Sequence, residues 1–402
     1  MNNKNHDFFK GLLSGLLIAV FMLGVILFGS HAYSLITGNE TAANVNIINK
    51  KVTDKVKLIE QTMSTYYLND IDQTAMQEGI YKGIVDSLED PYSVYYTQEE
   101  LDSLLEMSSG VYYGIGLYLS QDPKTGLITV VRPIEDSPSA EVGIIAGDIL
   151  YAVDDQLVDG QELSTVVTKV KGLEGTKVKM TFYREGEKID FEVERREIKS
   201  ETVFSEMKDK DIGYISIAEF DDVTFEQFKN ELDALEAEQM KGLIIDLRGN
   251  PGGNLDTVVK IADLLLPKGM IVYTEDKDGN REEYKSDDEQ QFTKPLVVMI
   301  DGNSASASEI LSGAIKDYKL GTLVGTTSFG KGIVQRVIPL GDGTAIKLTI
   351  SKYYTPNGKN IHGIGIEPDI TVDFDSEAYE TKKTDNQLDK AMEVLTEQMF
   401  AK

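Results

Sequence analysis

The sequence predicts an α/β and α+β multidomain chain: an N-terminal transmembrane helix, a helical N-terminal region, a small β-rich module and an α/β core. Three observations carry this. Residues 11–30 are uncharged and almost wholly apolar. From Val111 the apolar period shifts from three-to-four toward two. Beyond residue 198, strand-like apolar runs alternate with amphipathic stretches, the pattern of a largely parallel sheet covered by helices.

At about 1.5 Å per helical residue, residues 11–30 span about 30 Å, the thickness of a bilayer core. Lys4 and Lys10 precede this run and the next charge after it is Glu40, so the positive-inside rule places residues 1–10 in the cytoplasm and the rest of the chain outside. An uncleaved signal anchor is expected. A cleaved signal peptide is the alternative, but the run is long for its h-region and no A-x-A site follows. Residues 31–50 form a polar connector. Val52, Val56, Ile59 and Met63, then Met76, Ile80, Ile84 and Leu88, recur at three and four, so 51–108 reads as helical, with Asp90-Pro91 as a stop. The module at 109–197 carries short strands, turn glycines and one helix over 160–170. Within the core at 198–378, strands are expected at Ile212–Ile217, 242–247, Leu296–Ile300 and 344–354, and helices at 224–238 and 255–266. The closing segment, 379–402, holds an amphipathic helix over 386–399.

Composition removes many chemistries. The 402 residues include 40 Lys plus Arg against 67 Asp plus Glu, a net charge of −27, which argues against nucleic acid as a partner. The acidic residues are spread along the chain and read as solubilising. No cysteine is present, so disulfide scaffolds, thiol nucleophiles and thiolate metal sites are excluded. The three histidines, His6, His31 and His362, cannot build a multi-histidine metal site, and a Ser-His-Asp triad would rest on His362 alone.

Three runs follow or precede predicted elements in ways that suit chemistry. DLRGNPGG at 246–253 leaves an apolar strand at its carboxyl end, the usual ligand edge of an α/β sheet, though alone it also reads as a tight turn. GNSASASEI at 302–310 follows Leu296–Ile300 and opens a helix. Ser306 and Glu309 match a capping box, so this run by itself reads equally as a helix cap or as a serine whose oxyanion the helix N-terminus stabilises. GTTSFGKG at 325–332 nearly matches a phosphate-binding loop, but Gly332 stands where the magnesium-holding hydroxyl belongs, which argues against a nucleotide hydrolase. A lysine desolvated among glycines and Phe329 loses its proton more readily, which would let Lys331 serve Ser306 as a base without any histidine. Gln335 is placed to hold that amine.

Together, DLRGNPGG, NSASASEI, GTTSFGKGIVQ and LTISKYYTPNGKNIHGIGIEPDI resemble the carboxy-terminal processing, or tail-specific, protease family over most of residues 50–402. The resemblance implies Ser306 as nucleophile, Lys331 as general base, Gln335 as the residue positioning that base, and an oxyanion hole from Ala307 and Gly252 of the Gly252-Gly253 pair. The module at 109–197 resembles a PDZ domain, with Gly114, Ile115, Gly116 and Leu117 as its carboxylate-binding loop and Ser137-Pro138-Ser139-Ala140 and Gly147-Asp148-Ile149-Leu150 as later landmarks. Asp136 departs from the glycine common in relatives. By the same resemblance the core at 198–378 is a serine-protease core, and the PDZ module recognises the substrate's C-terminus and gates the core.

The implied function is a membrane-anchored serine endopeptidase that cleaves the C-terminal tails of proteins outside the cytoplasm, held to the membrane by residues 11–30. No cofactor or metal is expected. A homodimer is compatible with the family and with the apolar terminal helices. The alternative is an anchored PDZ scaffold that binds protein tails without cutting them.

Overall fold

The computed structural model describes residues 46–400 except 210 and 288. The expected anchor at 11–30, with residues 1–10 and the start of the connector, lies outside the described residues. Among the described residues no helix is long and apolar enough to cross a membrane.

The chain divides into two units, residues 1–76 and 77–402. The described part of the first holds the helix Lys50–Tyr66, capped by the Asn49 side chain, which accepts from Val52 N–H. Its apolar stripe is present as predicted, but Val52, Ile59 and Tyr66 are exposed and the helix buries no residue. The helix Gln73–Asp86 begins in this unit and runs into the second, where Ile80 and Ile84 are likewise exposed and only Val85 is buried. Helical period was legible there; burial was not, because nothing in a period says which face finds a partner.

The core of the second unit is a six-stranded sheet in the order Val203–Lys208, Ile212–Ile217, Gly242–Asp246, Leu296–Ile300, Thr322–Gly325, Ile370–Thr371, parallel except at its first pair. Its inner strands are continuous apolar runs because both faces are covered. Leu243, Ile245 and Val298 pack beneath the helices Thr224–Ala237, Leu255–Leu265 and Ala307–Tyr318. Ile244, Val297 and Met299 face the terminal helix Asn386–Phe400 through Ala391, Val394 and Leu395.

A second, antiparallel sheet was not foreseen as such. It pairs Val94–Tyr96, Ala345–Tyr354, Gly269–Asp276 and Arg281–Ser286, with Ile333–Pro339 on the other side of Ala345–Tyr354. This sheet carries the segment after Lys331, and Val94–Tyr96 brings residues from the helical N-terminal region against it. The helix Gln98–Ser109 follows, started by a Thr97/Glu100 capping box. That signal was in the sequence as Thr-x-x-Glu.

Residues 111–199 form the β-rich module. Five antiparallel strands, Leu117–Gln121, Ile128–Pro133, Ile149–Val153, Lys177–Arg184 and Glu187–Glu194, enclose a core that includes Ile115, Val130, Leu150, Val166 and Phe182. The predicted helix is Leu163–Val170. The Gly-Asp-Ile-Leu landmark has a structural cause: buried Asp148 makes two 2.7 Å bonds to the Arg184 guanidinium.

One ionic network ties the terminal helix Asn386–Phe400 to the loop that follows the strand Gly242–Asp246. The Arg248 guanidinium donates to both Asp246 oxygens, to both Asp385 oxygens and to Gln387, at 2.6–3.1 Å. Burial opposes the charge, yet the bonds to Asp246 and Asp385 win and raise the Arg248 pKa above its ordinary value. Arg248→Ala leaves two carboxylates, one of them buried, without their counter-charge, so a loss of about 3–5 kcal/mol is expected in denaturant melts. A loss under about 1 kcal/mol, the scale of an exposed pair, would show that the network does not dock the helix.

Candidate active site

Three loops leave the carboxyl ends of parallel strands and meet. The first, 247–253, is organised by Asn250, which is fully buried. Its Nδ2 donates to the Ile217 carbonyl at 2.8 Å, its Oδ1 accepts the Gly252 N–H at 2.8 Å, and its own carbonyl accepts Ala305 N–H at 3.0 Å and Ser308 Oγ at 3.1 Å.

The second loop carries the serines. Ser304 Oγ donates to the Leu247 carbonyl at 2.8 Å, and with Ser308 bonded to Asn250 both outer hydroxyls are consumed by the first loop in fully buried positions. Ser306, between them, lines a cavity of about 420 Å³. Its backbone sits at φ 53°, ψ −110°, a conformation costing about 1–3 kcal/mol for a residue with a Cβ. Two groups hold it there. Tyr353 Oη donates to the Ser306 carbonyl at 3.1 Å, and Glu309 Oε2 accepts the Ser306 N–H at 2.9 Å. Glu309 supplies its half of the expected capping box through the Ser306 N–H, while its own N–H bonds the Ser306 carbonyl at 2.9 Å and leaves the Ser306 hydroxyl to the cavity. Ala307 opens the helix, and its N–H has no intrahelical acceptor.

Glu309 does more than cap. Fully buried, it also accepts Ser328 Oγ at 2.6 Å, Gly330 N–H at 2.7 Å and Lys331 N–H at 2.8 Å, so one carboxylate fastens the serine loop to the third loop, 326–332. Lys331 lines the same cavity as Ser306. Burial lowers its pKa, the nearby Lys347 charge lowers it further, and Glu309 opposes both. The ring beside the amine is Tyr92, 4.9 Å away, rather than Phe329, which is 56% exposed. Phe329 turns outward while its N–H bonds the Ser304 carbonyl, so sequence adjacency misled. Gln335 lines the cavity and donates Nε2 to Thr349 Oγ1 at 3.4 Å. His362 is exposed.

Gly252 is required by space. A Cβ there would lie 2.8 Å from Ser306 Cβ and 3.0 Å from Ala307 N, at a φ of 107°. Its N–H, expected to face an oxyanion, is spent on Asn250. The Gly253 N–H has no partner among the described residues, because the bridge to Phe220 uses Gly252 O and Asn254 N, at 2.9 and 2.6 Å. Glu219 and Asp221 also line the cavity. Asp221 is buried, and burial, then the charges of Glu219 and Asp222, push its carboxyl up to about 6. Neither acid was singled out from the sequence, nor were Glu309's wider role, Tyr92, Lys347 and Tyr353.

In the β-rich module, Gly114, Ile115, Gly116 and Leu117 line a separate cavity of about 260 Å³ with Tyr112, Val167 and Lys171. Gly116, at φ 74°, turns its carbonyl to Ser137 Oγ at 3.1 Å and Ser139 Oγ at 2.6 Å, which explains those landmark serines. Glu106 of the helix Gln98–Ser109 pairs with Lys171 there, and Met107 lines both this groove and the Ser306 cavity.

An α/β core with a strained serine at a helix start defines a hydrolase class, and the matches make it specific. Residues 211–372 match Peptidase family S41, 129–184 a PDZ domain, and 30–100 the Activating protease CtpB N-terminal domain. The chain belongs to the carboxy-terminal processing proteases, serine-type peptidases of family S41. The carboxy-terminal processing protease CtpA of Bacillus subtilis is 38% identical over 79% of this chain and 68% of its own length. A carboxy-terminal-processing protease of Bartonella bacilliformis is 36% identical over 89% and 82%. The solved photosystem II D1 C-terminal processing protease aligns with a TM-score of 0.47 at 28% identity, over 79% of this chain and 86% of that one.

Proposed function

We propose that the chain is a membrane-anchored endopeptidase that cuts C-terminal tails outside the cytoplasm with a Ser306/Lys331 dyad. The observation carrying this is a single cavity lined by a strained, half-buried serine and by an amine whose pKa burial depresses. Ser306 Oγ attacks the scissile carbonyl, its proton passing to neutral Lys331. The tetrahedral oxyanion is met by the Ala307 N–H and by Gly253, the member of the glycine pair whose N–H is free. Lys331 then protonates the leaving amine, and water resolves the acyl-enzyme. Gln335 orients the amine.

The groove at Gly114–Leu117 takes the substrate's terminal carboxylate, the tail adding as a strand. Met107, shared by groove and cavity, supports gating of the core by an occupied PDZ domain. Residues 11–30 supply the anchor, and the exposed stripe of Lys50–Tyr66 suits a second copy of the chain. To test the dyad, the full chain in detergent is mixed with an unfolded protein bearing an apolar C-terminus, fragments are mapped by mass spectrometry, and Ser306 is checked for a trapped acyl group. Cleavage with Ser306 acylated is the expected result. Tail binding without cleavage, even with added tail peptide, would favour the scaffold.

Lys347 offers an independent check on the base. Its positive charge disfavours protonated Lys331, so Lys347→Met should raise the Lys331 pKa. Because the neutral amine is the active form, the acid limb of the kcat/KM profile is expected to move to higher pH. An unmoved limb would mean that Lys331 is not the group titrating.

A further inference from the structure

Asp221 is an anomaly in this cavity. It is only 6% exposed and lines the space in front of Ser306, yet its carboxylate has no hydrogen bond or ion pair among the described residues. The position is fixed by its backbone. The Asp221 N–H donates to Thr224 Oγ1 at 2.9 Å, and its carbonyl accepts Thr257 Oγ1 at 3.1 Å and Thr224 N–H at 3.1 Å. The neighbouring amide that might have served it, Asn254 Nδ2, bonds Asp222 Oδ1 at 2.6 Å and the Ser108 carbonyl at 3.1 Å instead. Glu219, exposed at the same cavity, adds a second carboxylate without a partner among the described residues. Burying a carboxylate without a partner is costly, and among the described residues no cation pairs with it.

We propose that Asp221 and Glu219 form an acidic subsite that takes a lysine or arginine side chain of the bound polypeptide close to the scissile bond. Location supports the register. Both acids flank Phe220, whose N–H and carbonyl bridge Gly252 and Asn254 around the free Gly253 N–H, so a side chain held there belongs to a residue near the reacting carbonyl. The inference rests on the peptidase reading for its occupant, while the subsite itself is built from Asp221 and Glu219 alone. A cation completes Asp221 electrostatically at a residue only 6% exposed, and this charge complementarity gives selectivity.

The test uses a peptide of fixed sequence and apolar C-terminus in which a single lysine, or its uncharged straight-chain counterpart norleucine, is moved through each position flanking the cleavage site. The ratio of kcat/KM for lysine over norleucine is measured with the full chain, Asp221→Asn, Glu219→Gln and the double variant. Binding of the same peptides to Ser306→Ala is measured in parallel, with and without Asp221→Asn. At one position lysine is expected to win by about tenfold or more, the ratio falling to near one in Asp221→Asn and part-way in Glu219→Gln. No lysine preference at any position, or a preference that survives both substitutions together, overturns the subsite. So does a lysine preference that appears only after EDTA treatment, which would assign the acids to a divalent cation. Lysine-selective binding to Ser306→Ala without any cleavage by the parent chain would sink the peptidase reading and leave the subsite standing.

Discussion

Ser306→Ala and Lys331→Ala are each expected to lower kcat by about 10⁴-fold or more, to a common floor set by whatever the oxyanion donors and binding still contribute. The two act as a unit: a serine hydroxyl without its base is a weak nucleophile, and a base without the serine has only water to activate. The double variant should therefore be no slower than either single one. Lys331→Arg separates base from charge, because a guanidinium keeps the positive charge but does not give up its proton in proteins. It should be as inactive as Lys331→Ala. Binding of tail peptide should persist in all of these, since the Gly114–Leu117 groove is a separate cavity. Multiplying losses in the double variant, or residual turnover in Lys331→Arg, would argue that some other group takes the Ser306 proton.

Much of the frame behind that dyad is written locally. Gly242–Asp246 and Leu296–Ile300 sit between covered faces, so they had to be unbroken apolar runs, and their ends could be read within a residue or so. The first two site loops begin where such a run ends; the third follows the short strand Thr322–Gly325, which the apolar pattern did not mark. What joins the loops is less visible, because it depends on contacts distant in sequence. Tyr92 reaches Lys331 only because Val94–Tyr96 pairs with Ala345–Tyr354, a register no local pattern encodes. Choosing Ser306 over Ser304 and Ser308 rested on resemblance, while the physical reason, that Leu247 and Asn250 carbonyls consume the outer hydroxyls, needs the loops assembled. The close packing at Gly252 fits its expected place beside Ser306, while its N–H, expected at the oxyanion, bonds the Asn250 side chain here, a contact no local pattern announces. Asp221 is invisible for the opposite reason: an acid in a run of acids gives no hint that one of them is buried and unpaired.

Glu309→Ala is expected to damage folding and chemistry together. Removing that carboxylate strands four donors at once, the N–H groups of Ser306, Gly330 and Lys331 and the Ser328 hydroxyl, in a position closed to solvent. Each unsatisfied donor costs about 1–3 kcal/mol, and with partial relaxation a net loss of about 3–5 kcal/mol is expected in denaturant melts. Activity should fall by about 10²-fold or more even where the protein remains folded, because the same carboxylate sets the positions of nucleophile and base relative to each other. Glu309→Gln distinguishes positioning from simple destabilisation. It keeps one acceptor oxygen but turns an NH₂ toward N–H donors, so stability should fall by less. It also removes the negative charge that raises the Lys331 pKa, so among surviving molecules the acid limb of the kcat/KM profile should move to lower pH. That is opposite in sign to the shift expected for Lys347→Met. Two substitutions, one on the helix Ala307–Tyr318 and one on the strand Ala345–Tyr354, moving one limb in opposite directions would identify Lys331 as the titrating base. A Glu309→Gln profile that merely shrinks, with its limb in place, would reduce Glu309 to a structural clasp.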